Sequence, residues 1–471
     1  MKINELTISE AQKELKEKKF SSVELVKACL QAIKSKNPTI NALITVCEKE
    51  ALEQAEKADR EIREAGDVIH KKPLFGIPIV IKDNFSTKGI KTTAGSKVLE
   101  NYIPVYDATV VTKLKKAGAI IIGKANMDAW AHGSSGENSD FGPTKNPFNE
   151  ERVPGGSSSG SAAAVALSMA LAATGTDTGG SIRLPASFCN VVGLKPTYGR
   201  VSRYGIVAMA SSLDAIGHLT KSVEDAALIL SVTAGHDDFD ATTPNQPIPQ
   251  YEKNLSKSIK GLKLGVPKEC FPSGLNEEIK KKVEEAISKL EKLGMEMIEI
   301  SLPHTEYALA TYYIIQPSEV SSNLARYDGI RYGFDRQSFG DEAKRRIMLG
   351  TYALSSGYWE AYYLKAMQVR TLIKKDFEEV FKKVDVLITP VSPTLPFKIG
   401  EKADDTLEMY LSDVFTVTAN LAGIPGMAVP AGFIDGLPVG FQILGPQFAE
   451  ERIFQVAYHY EQTTQYYKKS A

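Results

Sequence analysis

Gly76-Ile-Pro-Ile-Val-Ile-Lys-Asp83, residues 108–117 closed by Gly118, and Ala119-Ile-Ile-Ile-Gly123 form the stretch on which the fold turns. The first and last are short continuous apolar runs after a glycine, which suit core strands better than helices. Residues 108–117 between them read as a helix ended by Gly118. Strand, helix and strand in that order predict an α/β protein with some parallel pairing.

Upstream, Ser9-x-x-Gln12 and Ser21-x-x-Glu24 look like capping boxes that open two amphipathic helices, and residues 48–65 form a charged helix. The alanine-rich residues 162–173 predict a buried helix. Downstream, strands are expected at 262–266, 295–300, 384–389, 427–430 and 439–444. Helices are expected at 276–293, 358–383 and 450–461, with exposed connections at 237–260 and 331–342. One large α/β domain over residues 1–471, softly divided near residue 250, accounts for this order.

The chain has 471 residues, a net charge of −1, 43% hydrophobic and 24% charged residues, an ordinary balance for a globular protein. Near-neutral charge argues against a stand-alone nucleic-acid binder, which carries a basic stripe. It leaves room for a complex whose RNA contacts lie on another protein. Cys29, Cys47, Cys189 and Cys270 form no C-x-x-C pair, so reduced thiols are expected rather than a disulfide framework or a zinc site. With no signal-peptide pattern and no apolar run near the ~20 residues a membrane helix needs, a cytoplasmic protein is expected.

Two glycine-serine turns carry the chemistry: Pro154-Gly-Gly-Ser-Ser-Ser-Gly-Ser161 and Gly179-Gly-Ser-Ile-Arg-Leu-Pro185. Flexible linkers are not followed by an apolar helix and a second tight turn. Glycine lets backbone approach a ligand closely, and the serines supply hydroxyls. For Ser157, Ser158 and Ser159 three readings compete: caps for the following helix, a phosphate site at its N-terminus, or catalytic hydroxyls. No Gly-Lys-Ser/Thr follows, so the loop is not a Walker motif. In Thr176-Asp-Thr-Gly-Gly-Ser181 the two glycines can turn successive N–H groups toward one point, as an oxyanion hole requires, with Ser181 as nucleophile. The spacing is not the G-x-S-x-G elbow of α/β-hydrolases.

Lys82 ends the first apolar run. Most lysines in such a place reach for solvent; one held in the interior has a lowered pKa and can accept a proton from serine. Among the histidines, His70, His236 and His304 stand in polar, turn-like segments, while His132 and His218 adjoin glycine-rich segments and could line a pocket. None has an H-x-x-x-H partner. Lysine acting on serine through a second serine is the economical scheme.

Gly76 to Asn84, the 154–161 loop and Gly179 to Pro185, continued by Phe188-Cys-Asn-Val-Val-Gly-Leu-Lys-Pro-Thr-Tyr-Gly199, resemble the amidase signature family over about residues 22–457. Gly199-Arg-Val-Ser-Arg-Tyr-Gly205, Lys344-Arg-Arg-Ile-Met-Leu-Gly350 and Asn420-Leu-Ala-Gly-Ile-Pro-Gly426 are similar to that family's glutamine-hydrolysing subunits of tRNA-dependent amidotransferases. The resemblance implies a mixed central β-sheet covered by helices on both faces, with a signature core at about 70–215. It implies that Ser181 forms the acyl ester, that Ser157, after a cis peptide, relays the proton, and that Lys82 is the base. The N–H groups of Thr178, Gly179, Gly180 and Ser181 would form the oxyanion hole.

Tyr312, Arg346 and Asp413 match positions that hold glutamine, Arg346 taking the α-carboxylate by a forked contact and Asp413 the α-ammonium. The resemblance further implies a heterotrimer with subunits B and C and no metal in this chain. ATP, Mg²⁺ and most of the tRNA contact would fall to the partner. A stand-alone amidase acting on another small amide is the alternative. Ala129-Trp130, His218 and the short loop between Tyr332 and Lys344 depart from the family pattern.

Overall fold

In a computed structural model, the structure describes residues 2–65, 72–272, 274–329, 334–469 and 471. Eleven strands among them join into one mixed sheet. In chain order these are β1 (Leu43–Val46), β2 (Pro78–Lys82), β3 (Ile120–Ala125), β4 (Ala172–Asp177), β5 (Val192–Lys195) and β6 (Ala215–Thr220). β7 (Lys263–Pro267), β8 (Glu296–Ile300), β9 (Val386–Pro390), β10 (Gly426–Ile434) and β11 (Leu437–Leu444) complete it. The spatial order is β1-β3-β2-β4-β6-β5-β10-β11-β9-β7-β8. β2 pairs in parallel with both β3 and β4, and β7 with both β8 and β9; the remaining pairs are antiparallel.

The deciding stretch folds as its pattern predicts: β2, then the helix Thr109–Lys116, then β3 beside β2. Every residue of β2, β3 and β4 is buried, as expected where flanking helices cover a sheet and its strands carry continuous apolar runs. No helix among the described residues is long and apolar enough to cross a membrane.

Several local expectations shift. Thr7, not Ser9, caps the first helix, Ile8–Lys16, its hydroxyl accepting from the Glu10 N–H while Glu10 reaches back. Ser21 and Glu24 form the box that opens Ser22–Ile40, as read. The alanine-rich stretch is not one helix. Ser159–Ala166 is helical, Ser168 turns left-handed at φ 55°, and Ala172 and Ala173 already belong to β4. Alanine favours helix, but here the backbone of Ala172 and Ala173 is claimed by β2 on one side and β6 on the other. The helix expected over 358–383 runs as a π-helical segment, Glu360–Leu364, and an α-helix, Lys365–Val380.

His218 lies in β6, wholly buried, with Nε2 2.8 Å from Thr233 Oγ1. Burial pushes its pKa down to about 3, so it is a neutral core histidine. His236 and His304 reach the surface as expected, with 45% and 35% of their side chains exposed. His70 and the start of the short loop, including Tyr332, lie outside the described residues.

What positions chemistry is the β2–β4 pairing. Two parallel neighbours end at the same edge of the sheet, so Lys82 at the end of β2 faces the turn that follows β4.

Candidate active site

Lys82 is wholly buried. Its Nζ donates to Ser157 Oγ at 2.8 Å, Ser158 Oγ at 2.9 Å and Thr176 Oγ1 at 2.8 Å. None of these partners is a carboxylate. Burial therefore dominates and pulls the lysine pKa down to about 7, against the more distant charges of Asp128, Asp177 and Asp214. A substantial fraction of Lys82 is neutral near pH 7 and can take a proton from a hydroxyl it already touches. Asn84 donates to Thr176 Oγ1 at 3.2 Å and fixes that hydroxyl in place.

Two hydroxyls of the 154–161 loop are thus taken by Lys82 rather than by helix capping. Ser158 is the N-cap of Ser159–Ala166 yet makes no side-chain cap. Ser157 and Ser158 are both engaged by Lys82, which leaves the phosphate reading without its hydroxyls. The Gly156–Ser157 bond is cis. Gly156 is required by closeness: a Cβ there would run into the Asp128 carboxylate and sit 2.8 Å from the Gly136 nitrogen. Asp128 accepts from Gly136 N–H at 3.1 Å and Asn138 N–H at 2.9 Å, and burial raises its pKa to about 7.

Ser181 follows β4 at the end of the turn, and it alone among Lys82, Ser157 and Ser181 is partly exposed. Its carbonyl accepts the Ser158 N–H at 3.1 Å, which ties the two glycine-serine turns together. Its hydroxyl has no partner among the described residues, so the Lys82–Ser157 contact is made and the Ser157–Ser181 contact is not. The N–H groups of Thr178, Gly179, Gly180 and Ser181 also donate to no protein acceptor among the described residues. Free donors beside a free hydroxyl are what attack on an acyl carbon needs.

A buried framework missed in the sequence holds this turn. Arg183 grips Asp177 through Nε and Nη2, each at 3.0 Å, and reaches Gln442, Thr416 and Asn420. The forked pairing with Arg183 outweighs burial and holds the Asp177 carboxyl down at about 2. Thr416 donates to the Gly179 carbonyl at 2.5 Å, and Thr178 donates to Asp214 at 2.7 Å. Only the Asp177–Arg183 spacing beside the glycines could have signalled this network; Thr416, Asn420 and Gln442 come from far downstream in the chain.

Of the three expected substrate residues, Tyr312 and Asp413 reach the same turn, Asp413 through Thr416, and Arg346 joins them by way of Tyr313. Tyr312, in the helix Ala308–Asn323, lies over Gly179, where an added Cβ would stand 2.6 Å from its Cζ and Oη. Tyr313 donates to Asp413 Oδ2 at 2.9 Å, and burial lifts the Asp413 pKa to about 7. Arg346, in the helix Asp341–Ala353, stacks its guanidinium 4.6 Å from the rings of both Tyr313 and Tyr410. The forked contact foreseen for it is partly spent inside the protein. Nε donates to Glu342 at 2.6 Å and Nη1 to Gln316 at 2.6 Å, which leaves Nη2 without an acceptor among the described residues. Tyr313, Tyr410, Gln316 and Glu342 were invisible in the sequence, since a helical tyrosine or glutamate is ordinary.

Trp130 packs against Phe339 at 5.0 Å and Tyr327 at 4.8 Å, joining the segment after β3 to the approach of the Arg346 helix. All four cysteines are free thiols, three of them buried.

A family model described as Amidase matches residues 24–454. The chain belongs to the amidase family. Among curated relatives, the A subunit of the glutamyl-tRNA(Gln) amidotransferase of Geobacter metallireducens is 55% identical over 487 aligned positions, covering 100% of both chains. The crystal structure of the corresponding A subunit of the glutamyl-tRNA(Gln) amidotransferase of Thermotoga maritima superposes with a TM-score of 0.83 at 45% identity, over 97% of this chain and 94% of that one. The native peptide amidase of Stenotrophomonas maltophilia superposes at 0.80 with 30% identity, over 98% and 97%. The α/β architecture, with its mixed sheet flanked by helices, is thus that of amidase signature enzymes, as the motifs implied.

Proposed function

We propose that this amidase is the glutaminase subunit of a tRNA-dependent amidotransferase, supplying ammonia for converting Glu-tRNA(Gln) to Gln-tRNA(Gln). The observation that carries the reading is the buried Lys82–Ser157 contact at 2.8 Å beside a turn whose far wall offers opposite charges, Arg346 and Asp413. Similarity to the named proteins over the whole chain supports it.

Ser181 Oγ attacks the side-chain carbonyl carbon of glutamine while its proton passes to Ser157 Oγ and the Ser157 proton to Lys82 Nζ. Negative charge on the tetrahedral oxygen is met by the N–H groups of residues 178–181. The C–N bond breaks, the proton returns by the same route, and ammonia departs. Water, deprotonated along the same relay, cleaves the ester and releases glutamate. Arg346 and Asp413 fix the two charged ends of the amino acid, and the Tyr312 ring closes the turn. Subunits B and C complete the enzyme in the cytoplasm, and ATP, Mg²⁺ and tRNA are handled chiefly on the partner side.

The test is Ser181→Ala in the assembled complex. Glutamine-dependent amidation is expected to vanish, and amidation fed with ammonium chloride to persist. Loss of both would contradict the division of labour. Efficient hydrolysis of simple amides by a monomer that handles glutamine poorly would favour the stand-alone amidase.

A further inference from the structure

Around Arg346 stand buried polar groups with nothing to bind. Both ring nitrogens of His132 lack a partner although the residue is only 1% exposed, and Nε2 of the wholly buried Gln316 lacks one too. Native interiors seldom leave such groups unpaired, and a cluster of them calls for an explanation. His132 belongs to a wall of the site. Asn138 Nδ2 holds its carbonyl at 3.1 Å, and two residues on, the Ser134 carbonyl takes the Gly156 N–H at 2.9 Å. The ring is kept neutral, chiefly by burial and then by the Arg346 guanidinium, so it offers one N–H without adding charge. Gln316 turns its Oε1 to Arg346 Nη1 at 2.6 Å, which leaves both hydrogens of Nε2 unspent.

One His132 ring N–H and both hydrogens of Gln316 Nε2 are donors without an acceptor, and they lie near a cation whose charge Glu342 partly offsets. Glu342 pairs with Arg346 at 2.6 Å and also with Arg345, and it occupies Arg346 Nε, so the guanidinium alone holds an incoming anion less firmly than a free arginine would. A carboxylate has about four acceptor sites and no donor. It fits a set made of one imidazole N–H, one amide NH₂ and the remaining guanidinium nitrogen. An ammonium group could use only the bare ring nitrogen of His132 and none of these donors.

We propose that His132 and Gln316 are specificity-determining residues: with Arg346 they hold the substrate's carboxylate and so select amides that carry one. This rests on the amino-acid-amide reading above. Charge alone does not secure the anion; the two neutral donors do.

The test compares L-glutamine with 4-aminobutanamide, the same molecule without its carboxylate, on the full chain in its native assembly. In His132→Leu and Gln316→Leu, kcat/KM for glutamine is expected to fall about 10- to 100-fold, mostly through KM, and at least tenfold more than for 4-aminobutanamide. Equal losses on both substrates would assign the residues a structural role and overturn the proposal while the glutaminase reading stands. A wild type that takes both substrates equally well would overturn carboxylate selection, and one that takes 4-aminobutanamide but hardly any glutamine would end the glutaminase reading too.

A second measurement needs no leucine variant to fold. In ¹⁵N-histidine-labelled Ser181→Ala protein, the His132 ring signal, assigned by its loss in His132→Gln, is expected to shift with L-glutamine and stay put with 4-aminobutanamide. A ring indifferent to glutamine would sink the idea.

Discussion

At the proposed reacting end of the site, Lys82, Ser157, Ser158, Thr176 and Ser181 come from 100 consecutive residues of one sheet core, and backbone places them: a strand end, a cis bond and a glycine turn. At the proposed recognition end, Tyr313, Gln316, Glu342, Arg346 and Tyr410 come from separate helices and Asp413 from a turn, across another hundred residues, and side chains place one another by stacking and pairing. The first end offers few hydroxyls and one amine with no counter-ion in contact. The second is dense with charged residues, Arg346 paired with Glu342 and Asp413 held by the Tyr313 hydroxyl. Backbone geometry serves a reaction that must repeat on any amide, whereas a mesh of side chains can be altered residue by residue to change which amide is accepted.

The largest expected effect separates the ends most cleanly. Lys82→Met removes the base from both halves of the reaction, so kcat is expected to fall about 10⁴-fold or more on glutamine and on 4-aminobutanamide alike. Burying a methionine in place of an unpaired amine relieves desolvation while stranding the hydroxyls of Ser157, Ser158 and Thr176. Thermal melting is expected to stay within about 5 °C of the wild type. Collapse of the fold would mean that Lys82 is a structural post.

This division also explains what the sequence disclosed. Lys82 and the two turns announce themselves because unusual backbone demands unusual residues in a row: Gly-Gly-Ser twice, and an apolar strand ending in lysine. The strands bearing that end, β2 and β3, were legible for the same reason. β4 was not, because Ala172 and Ala173 prefer helix and become strand only when β2 and β6 claim their hydrogen bonds. Arg346 and Asp413 emerged only by resemblance, since nothing local distinguishes an arginine beside Arg345 from a surface residue. Their partners Glu342, Gln316, Tyr313 and Tyr410 emerged only in three dimensions.

A smaller effect breaks the recognition end alone. Arg346→Met is expected to lower kcat/KM for glutamine about 10- to 100-fold through KM, with a lesser loss for 4-aminobutanamide. It also leaves Glu342, only 14% exposed, with Arg345 as its remaining cation among the described residues, beside the Tyr410 hydroxyl. Because that pairing survives, the cost in stability is expected to stay below about 3–5 kcal/mol, that of a stranded buried carboxylate. Arg346→Met with Glu342→Gln should recover most of the stability and none of the KM. Recovery of both would show that Arg346 serves packing rather than substrate.

The smallest effect is a slope. In free enzyme, Lys82 sits at about 7, pulled down by burial, and Asp413 at about 7, pushed up by burial. As pH falls below 7, Lys82 gains a proton and stops being a base, while Asp413 gains one and stops attracting an ammonium. Both changes reduce kcat/KM for glutamine, so its logarithm should fall with a slope approaching two. Asp128 also lies at about 7 and feels Lys82, so the catalytic limb belongs to that pair. Butyramide, which carries neither ammonium nor carboxylate, should show only the catalytic limb, one order of slope shallower. Asp413→Asn should bring the glutamine profile to the butyramide slope. If the two amides already share one slope in the wild type, the ammonium is not held by Asp413, and the acid limb belongs to the reacting end alone.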